Sequence, residues 1–390
     1  MKQDSGRAAE GSIMTMDNEE NYRNLQRHLD SQPVGFPATK TGEEIRILEH
    51  LFTPEEAVVA SGMSYTYRSI QQIYEKLQGS GITLEELRET LLSMMKKGVI
   101  GYREADGVEY FNNVPLVVGM YEGQVNRLTT SFLSNFRKYT TNPRFGLEFI
   151  SSGVSQMRTI PVERSITPKH HVATYDEIGA LLENARGPFL TLACICRQAA
   201  GRAGKRCSRT SRVDTCLALD DTAAQCLKMG LGREITRQEA IRITRENERE
   251  GLVLQPANEQ APEFICACCS CCCGMISMLK RLHRPLDYWS TNYYSQIEGD
   301  ACTGCGACVK ICPVDAVRAR DRGIPSTDLH RCIGCGLCVP RCPVGARSLV
   351  KRKKQTVPPP SSEDLYGKIM EKKKGTFGKF LLAARIMLRL

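Results

Sequence analysis

The sequence predicts an α+β protein built of several units in series: a helical N-terminal unit closed by a hairpin, a mainly helical cysteine-rich middle, and a small C-terminal module held by cysteine ligation. Three observations carry this prediction. Helix-start signals recur in "TGEE", "TPEE" and "TLEE" at Thr41, Thr53 and Thr83. All nineteen cysteines fall between Cys194 and Cys342. The chain from residue 349 onward is strongly basic. With 390 residues and 42% hydrophobic content, the chain is long enough for two or three packed domains.

Residues 1–40 are polar and lack apolar periodicity, which predicts a disordered arm. In residues 41–140 each of the three Thr signals places Thr three residues before Glu, the reciprocal capping arrangement that satisfies two free backbone donors. The third opens "LEELRETLLSMMKKG", in which Leu84, Leu87, Leu91, Leu92 and Met95 recur at helical spacing and Gly98 ends the run. "VIGYRE" and "VEYFNN" then alternate around Asp106-Gly107, a hairpin signal. Three helices followed by a hairpin resemble a winged helix. The candidate recognition helix starts with Glu85, Glu86 and Glu89 and carries only Arg88, Lys96 and Lys97 as cations, which favours structural or protein-docking use over nucleic acid as a partner.

The first 24 residues contain Asp, Glu and Asn where a secretory signal needs an apolar core, and no run of 18 apolar residues occurs. The expectation is a cytoplasmic, reducing location, where dense cysteine serves metals rather than disulfides.

"CTGCGACVKICP" from Cys302 and "CIGCGLCVPRCP" from Cys332 each read C-x2-C-x2-C-x3-C-P. Three thiols two residues apart wrap a tight loop. Gly304, Gly306, Gly334 and Gly336 let that loop turn closely, and Pro313 and Pro343 stop any helix. Soft thiolates without histidine suit iron–sulfur chemistry, with structural zinc as the alternative. The repeated run resembles the bacterial two-cluster ferredoxin. That resemblance implies two [4Fe–4S] clusters, one on Cys302, Cys305, Cys308 and Cys342, the other on Cys332, Cys335, Cys338 and Cys312. Such a small module, about 50 residues long, should depend on its clusters for folding.

The cysteine-rich middle, residues 170–290, has one clear helix, "TRQEAIRITRENEREG", capped by Thr236 and ended by Gly251. Its cysteines lie in "LACICRQAAGRAGKRCSRTSRVDTCL" and in "CACCSCCCG", where six fall within eight positions. This layout is similar to a family of anaerobe iron–sulfur proteins described as 4Fe–4S ferredoxin-type. The residues themselves point to a further metal centre, iron–sulfur or zinc, on Cys194, Cys196, Cys207 and Cys216, joined by Cys266 and Cys269. Arg197, Arg202, Lys205 and Arg206 would offset its negative charge. Cys271, Cys272 and Cys273 point in different directions and do not fit one cube. Cys226 reads as an ordinary core thiol.

Residues 343–390 hold 12 Lys and Arg against 3 Asp and Glu. Within them "FGKFLLAARIMLRL" aligns Phe377, Phe380, Leu381, Ala384, Met387 and Leu388 on one helical face. Two expectations stand: a helix lying on an anionic membrane at its inner face, or one packed against this protein or a partner. No dinucleotide fingerprint and no phosphate-binding Gly-x4-Gly-Lys occurs, so the chain should need redox protein partners. The expected function is electron transfer, as a carrier or as a subunit of an anaerobic redox complex. A redox-responsive DNA-binding regulator and an oxidoreductase with an open iron are the other classes.

Overall fold

A computed structural model describes residues 18–167, 172–319 and 323–388. The first described element is a helix, α1 (Asn18–Ser31), where a disordered arm was expected. Its Tyr22, Leu25 and Leu29 are buried in the N-terminal core, so this stretch is structural; the remainder of the expected arm, residues 1–17, lies outside the described residues. The apolar positions sit at i, i+3 and i+7, a narrow stripe that polar neighbours hide in the sequence.

Next come α2 (Glu43–Leu51), α3 (Pro54–Gly62), β1 (Arg68–Ser69), α4 (Ile70–Lys76), α5 (Leu84–Lys96), β2 (Ile100–Ala105) and β3 (Val108–Asn113). Thr53 and Thr83 form full capping boxes with Glu56 and Glu86. Thr41 does not: Gly42, in the left-handed region, caps α2, and the Thr41 hydroxyl donates to Glu43 instead. On α5 the buried residues are Leu87, Leu91, Met94 and Met95, while Leu84 is exposed. Asp106 and Gly107 both take positive φ, the turn that matches strand twist, and β2 pairs antiparallel with β3. β1 adds to the outer side of β3. Two of the three cations noted on and after α5 are engaged, Arg88 with Glu109 at 3.0 Å and Lys97 with Glu56 at 2.7 Å. Helices α6 (Thr130–Thr140) and α7 (Pro143–Ile150) complete this unit, burying Phe132, Tyr139 and Phe145.

The middle region, expected to be mainly helical, carries a five-stranded sheet besides its helices. It contains α8 (Ile178–Asn184), β4 (Phe189–Ala193), α9 (Ile195–Arg202), β5 (Asp214–Leu219), α10 (Asp220–Lys228), β6 (Arg233–Ile235), α11 (Arg237–Arg249), β7 (Val253–Pro256), β8 (Phe264–Cys268) and α12 (Gly274–Arg281). The five strands form one antiparallel sheet in the order β6-β4-β5-β8-β7. One face buries Leu217, Leu219, Leu254 and Ile265 beneath α8 and α11; the other packs Leu190 and Ala218 on Ala223 of α10. The strands were hidden because they are three to six residues long and their cysteines read as ligands rather than as sheet formers.

The C-terminal module consists of β9 (Tyr293–Ile297), α13 (Ala307–Ile311), β10 (Val317–Arg318), β11 (Ser326–Thr327) and β12 (Arg347–Lys351), with β9 paired to β12 and β10 to β11. Its apolar core is shared with the middle region: Ile276 and Leu279 of α12 lie in one cluster with Ile311, Val314 and Ile333.

The tail folds back as α14 (Ser362–Lys372) and α15 (Thr376–Met387). Leu365 and Ile369 are buried, Lys373 Nζ reaches the carbonyls of Asp30 and Gln32 at 2.7 and 2.6 Å, and Glu148 forms ion pairs with both Lys373 and Lys379. These contacts anchor α14, which precedes the stretch on which the two expectations rest. On α15 Phe377, Phe380, Leu381 and Met387 remain 52–77% exposed, while Leu382 is buried. Among the described residues no helix is long and apolar enough to cross a membrane.

Candidate metal centres

The two C-terminal runs fold into two pockets. One is lined by Cys302, Cys305, Cys308 and Cys342, the other by Cys312, Cys332, Cys335 and Cys338. Each pocket therefore takes three thiols from one run and the fourth from the other. Local backbone explains the wrapping. Gly334 and Gly336 have positive φ, and a Cβ on them would run into the Tyr293 carbonyl and the Ser165 side chain respectively. Sulfur atoms here accept hydrogen bonds from the chain: the amides of Gly304, Ser295 and Ala316 lie 3.4, 3.4 and 3.2 Å from Cys302, Cys332 and Cys312 Sγ, and Arg347 Nη2 lies 3.4 Å from Cys308 Sγ. Burial pushes the Cys338 thiol up to about 12, so a nearby cation is required to hold a thiolate there at neutral pH. An all-sulfur donor set, amide donors aimed at sulfur and the absence of histidine fit [4Fe–4S] clusters.

The remaining cysteines separate into two groups that cut across the expected six-residue set. Cys207 and Cys269 come together with Cys271 and Cys272, all four sulfurs lying within 4.8 Å of one another. The closest pairs are 3.5–3.7 Å apart. A tetrahedral ion with thiolates at about 2.3 Å has edges of about 3.8 Å, so this group matches a single ion of the zinc class. Burial first, then the neighbouring Cys271, pushes the Cys269 thiol up to about 12, a proton that a bound cation would displace.

Cys194, Cys196, Cys216 and Cys266 lie around a cavity of about 560 Å³, together with Cys268 and Cys273, and Cys269 and Cys272 of the first group border it as well. The elements explain the placement. A register shift after Leu192 ends β4 and turns the chain so that Cys194 caps α9, with Cys196 in its first turn. Cys216 lies on β5 next to β8, where Cys266 and Cys268, two positions apart, share one face. Cys273 caps α12. Sequence reasoning missed Cys268, Cys271, Cys272 and Cys273 as site residues. The alternation in "CAC" and the helix start after Cys273 were the available signals. The three adjacent cysteines do diverge: Cys271 and Cys272 turn to one group and Cys273 to the other.

Arg197 stands between the two groups, 7% exposed, with Nη2 donating to the Ala267 carbonyl at 2.6 Å and Nη1 to Thr215 Oγ1. Burial opposes its charge, but Cys194, Cys269 and Cys216 outweigh that and raise its pKa. Arg202, Lys205 and Arg206 are exposed, so Arg197 alone of the four expected cations is built into this interior. Cys226 borders the cavity and packs on the Leu190 cluster; burial pushes it up to about 11. Across the cavity Glu122 is half-buried, and desolvation pushes its carboxyl up to about 7.

In comparison with known families, residues 301–356 match the family described as 4Fe-4S dicluster domain. No curated protein matches the chain.

Proposed function

We propose that the chain transfers electrons through two [4Fe–4S] clusters in residues 291–348, one on Cys302, Cys305, Cys308 and Cys342, the other on Cys312, Cys332, Cys335 and Cys338. The crossed grouping of the two runs carries the reading, since it is the arrangement in which each cluster borrows its fourth ligand. Bound there, the clusters supply one-electron chemistry. The chain's own part is to hold the thiolates, aim amides at sulfur, and bury Cys332, Cys335 and Cys338 while leaving Cys305 at the surface. That exposed edge suits a redox protein partner, as expected of a carrier or a subunit of an anaerobic complex working in the cytoplasm.

The third centre is a single tetrahedral ion on Cys207, Cys269, Cys271 and Cys272. Its loop touches the module, with Arg209 Nη2 donating to the Lys310 carbonyl at 3.1 Å. The N-terminal unit serves as a winged-helix-like docking domain; α5 has too little free positive charge for a phosphate backbone. Exposed Phe377, Phe380 and Leu381 beside Lys372 and Lys374 make α15 a peripheral membrane contact. Flotation with anionic liposomes should be lost when the chain ends at Pro360, and unchanged flotation sinks that part of the reading.

The central test is anaerobic EPR and Mössbauer spectroscopy of the full chain with metal analysis. Cys305→Ser combined with Cys335→Ser should remove signals that account for about eight iron atoms. Retention of all iron by that variant would overturn the assignment.

A further inference from the structure

Nine cysteines border the cavity: Cys226, Cys269 and Cys272 besides Cys194, Cys196, Cys216, Cys266, Cys268 and Cys273. Of these, Cys216 of β5 and Cys266 and Cys268 of β8 come from neighbouring strands, and Cys194, Cys196 and Cys273 from the starts of α9 and α12. Yet among the described residues only the Cys207 group gathers three or more ligand atoms all within 4.8 Å of one another. The six just named therefore lie spread around the chamber as an open ring rather than converging on one point. One tetrahedral ion needs four thiolates with edges of about 3.8 Å, and no three members of the ring meet that condition together.

We infer that Cys194, Cys196, Cys216, Cys266, Cys268 and Cys273 form a separate site for a polynuclear iron–sulfur cluster, one face of which opens on the 560 Å³ chamber to a small polar molecule. The donor set is sulfur throughout, which selects iron–sulfur chemistry over hard cations. Two segments of the ring, Cys194-Ile195-Cys196 and Cys273, sit at the N-termini of eight-residue helices, where free amides favour anionic sulfur. Cys273 is the N-cap of α12, whose first-turn amides, those of Met275 and Ile276 among them, have no partner within the helix. Arg197 supplies the nearest cation, and Cys268 and Cys273 share one apolar cluster with Cys308, Cys332 and Cys335 of the module. A cluster here would be wired to the module by contiguous packing.

The chamber has the volume of a small-molecule site. Its wall carries buried polar atoms without a partner: Gln156 Nε2, Thr191 Oγ1 and Asn112 Oδ1, each on a residue no more than 7% exposed. Buried polar groups without partners are costly and mark places where a ligand or water completes the bonding. Glu122 lies on the same wall, hydrogen-bonded to the Gly119 amide at 2.8 Å. Residues from the N-terminal unit, the sheet and α14 all contribute, so the chamber exists only in the assembled chain.

The test is metal and acid-labile sulfide counting with Mössbauer spectroscopy on the anaerobic full-length protein. The wild type should hold about twelve iron and sulfide or more, beyond the roughly eight of two [4Fe–4S] clusters. Cys196→Ser with Cys268→Ser should remove only the excess, and Cys271→Ser with Cys272→Ser should leave it in place. A wild-type count near eight overturns the site without any variant, as does excess iron that follows Cys271 and Cys272. Cyanide, used as a small probe, should alter only the ring-dependent spectrum, and a ring component indifferent to it refutes the open face. Loss of the module's own signals would strike the preceding proposal and leave this one standing.

Discussion

Replacing Arg347 by Met should lower the reduction potential of the cluster bound by Cys308 by about 50 mV. The guanidinium is 3% exposed, with Nη1 donating to Thr327 Oγ1 at 2.7 Å and Nη2 lying 3.4 Å from Cys308 Sγ. A full unit charge at that separation interacts with the cation by about 5 kcal/mol at an effective dielectric of about 20. If the added electron is shared equally by four thiolates, the portion on Cys308 is stabilised by about 1.2 kcal/mol. At about 59 mV per 1.4 kcal/mol for one electron, that gives about 50 mV. Losing the cation makes reduction harder, so the shift is negative. Arg347→Lys keeps the charge and should restore most of it. Redox titration followed by EPR reads the value. A shift smaller than about 15 mV with the cluster intact, or a positive one, would refute the electrostatic account.

Further outcomes follow from the packing. Gly336→Ala places a Cβ against Ser165 at a positive φ, and should destabilise the loaded protein by about 2–4 kcal/mol in guanidinium titration. Burial raises the Glu259 carboxyl to about 8, so the folded state holds this proton more tightly than the unfolded chain. Its contribution is fully present below about 4.5 and is lost as pH rises towards 8, at most about 5 kcal/mol. Glu259→Gln should flatten that slope, measured as denaturation midpoint against pH. Glu148→Gln removes the acceptor shared by Lys373 and Lys379, and hydrogen exchange should then speed up in α15 with α11 unchanged. If α15 stays equally protected, those ion pairs do not fasten it.

Much of the C-terminal chemistry was legible because ligand spacing is local. Cys302–Cys312 and Cys332–Cys342 each lie within eleven residues, and the glycines that permit the loops sit between the ligands. The capping boxes at Thr53 and Thr83 were legible for the same reason, while Thr41 lost its role to Gly42 by a choice of backbone region that no residue type enforces. The middle sheet was not legible. Its strands are short, and the pairing of β5 with β8 joins Leu217 to Ile265 across 48 residues. Once β5 and β8 are neighbours, the division of the cysteines follows from the two faces of a strand and the caps of two helices. Counting cysteines in the primary structure had instead merged Cys207 and Cys269 with Cys194 and Cys216.

The placement of α14 bears on the order of biosynthesis. Ser362, Leu365 and Tyr366 form part of the chamber wall, and the Tyr366 hydroxyl donates to Gln156 at 3.2 Å. These residues leave the ribosome after every one of the nineteen cysteines. During synthesis the ring therefore forms beside an unfinished wall, with one side still accessible to whatever machinery delivers metal and sulfide. The chamber wall therefore stays incomplete until α14 has been made and docked.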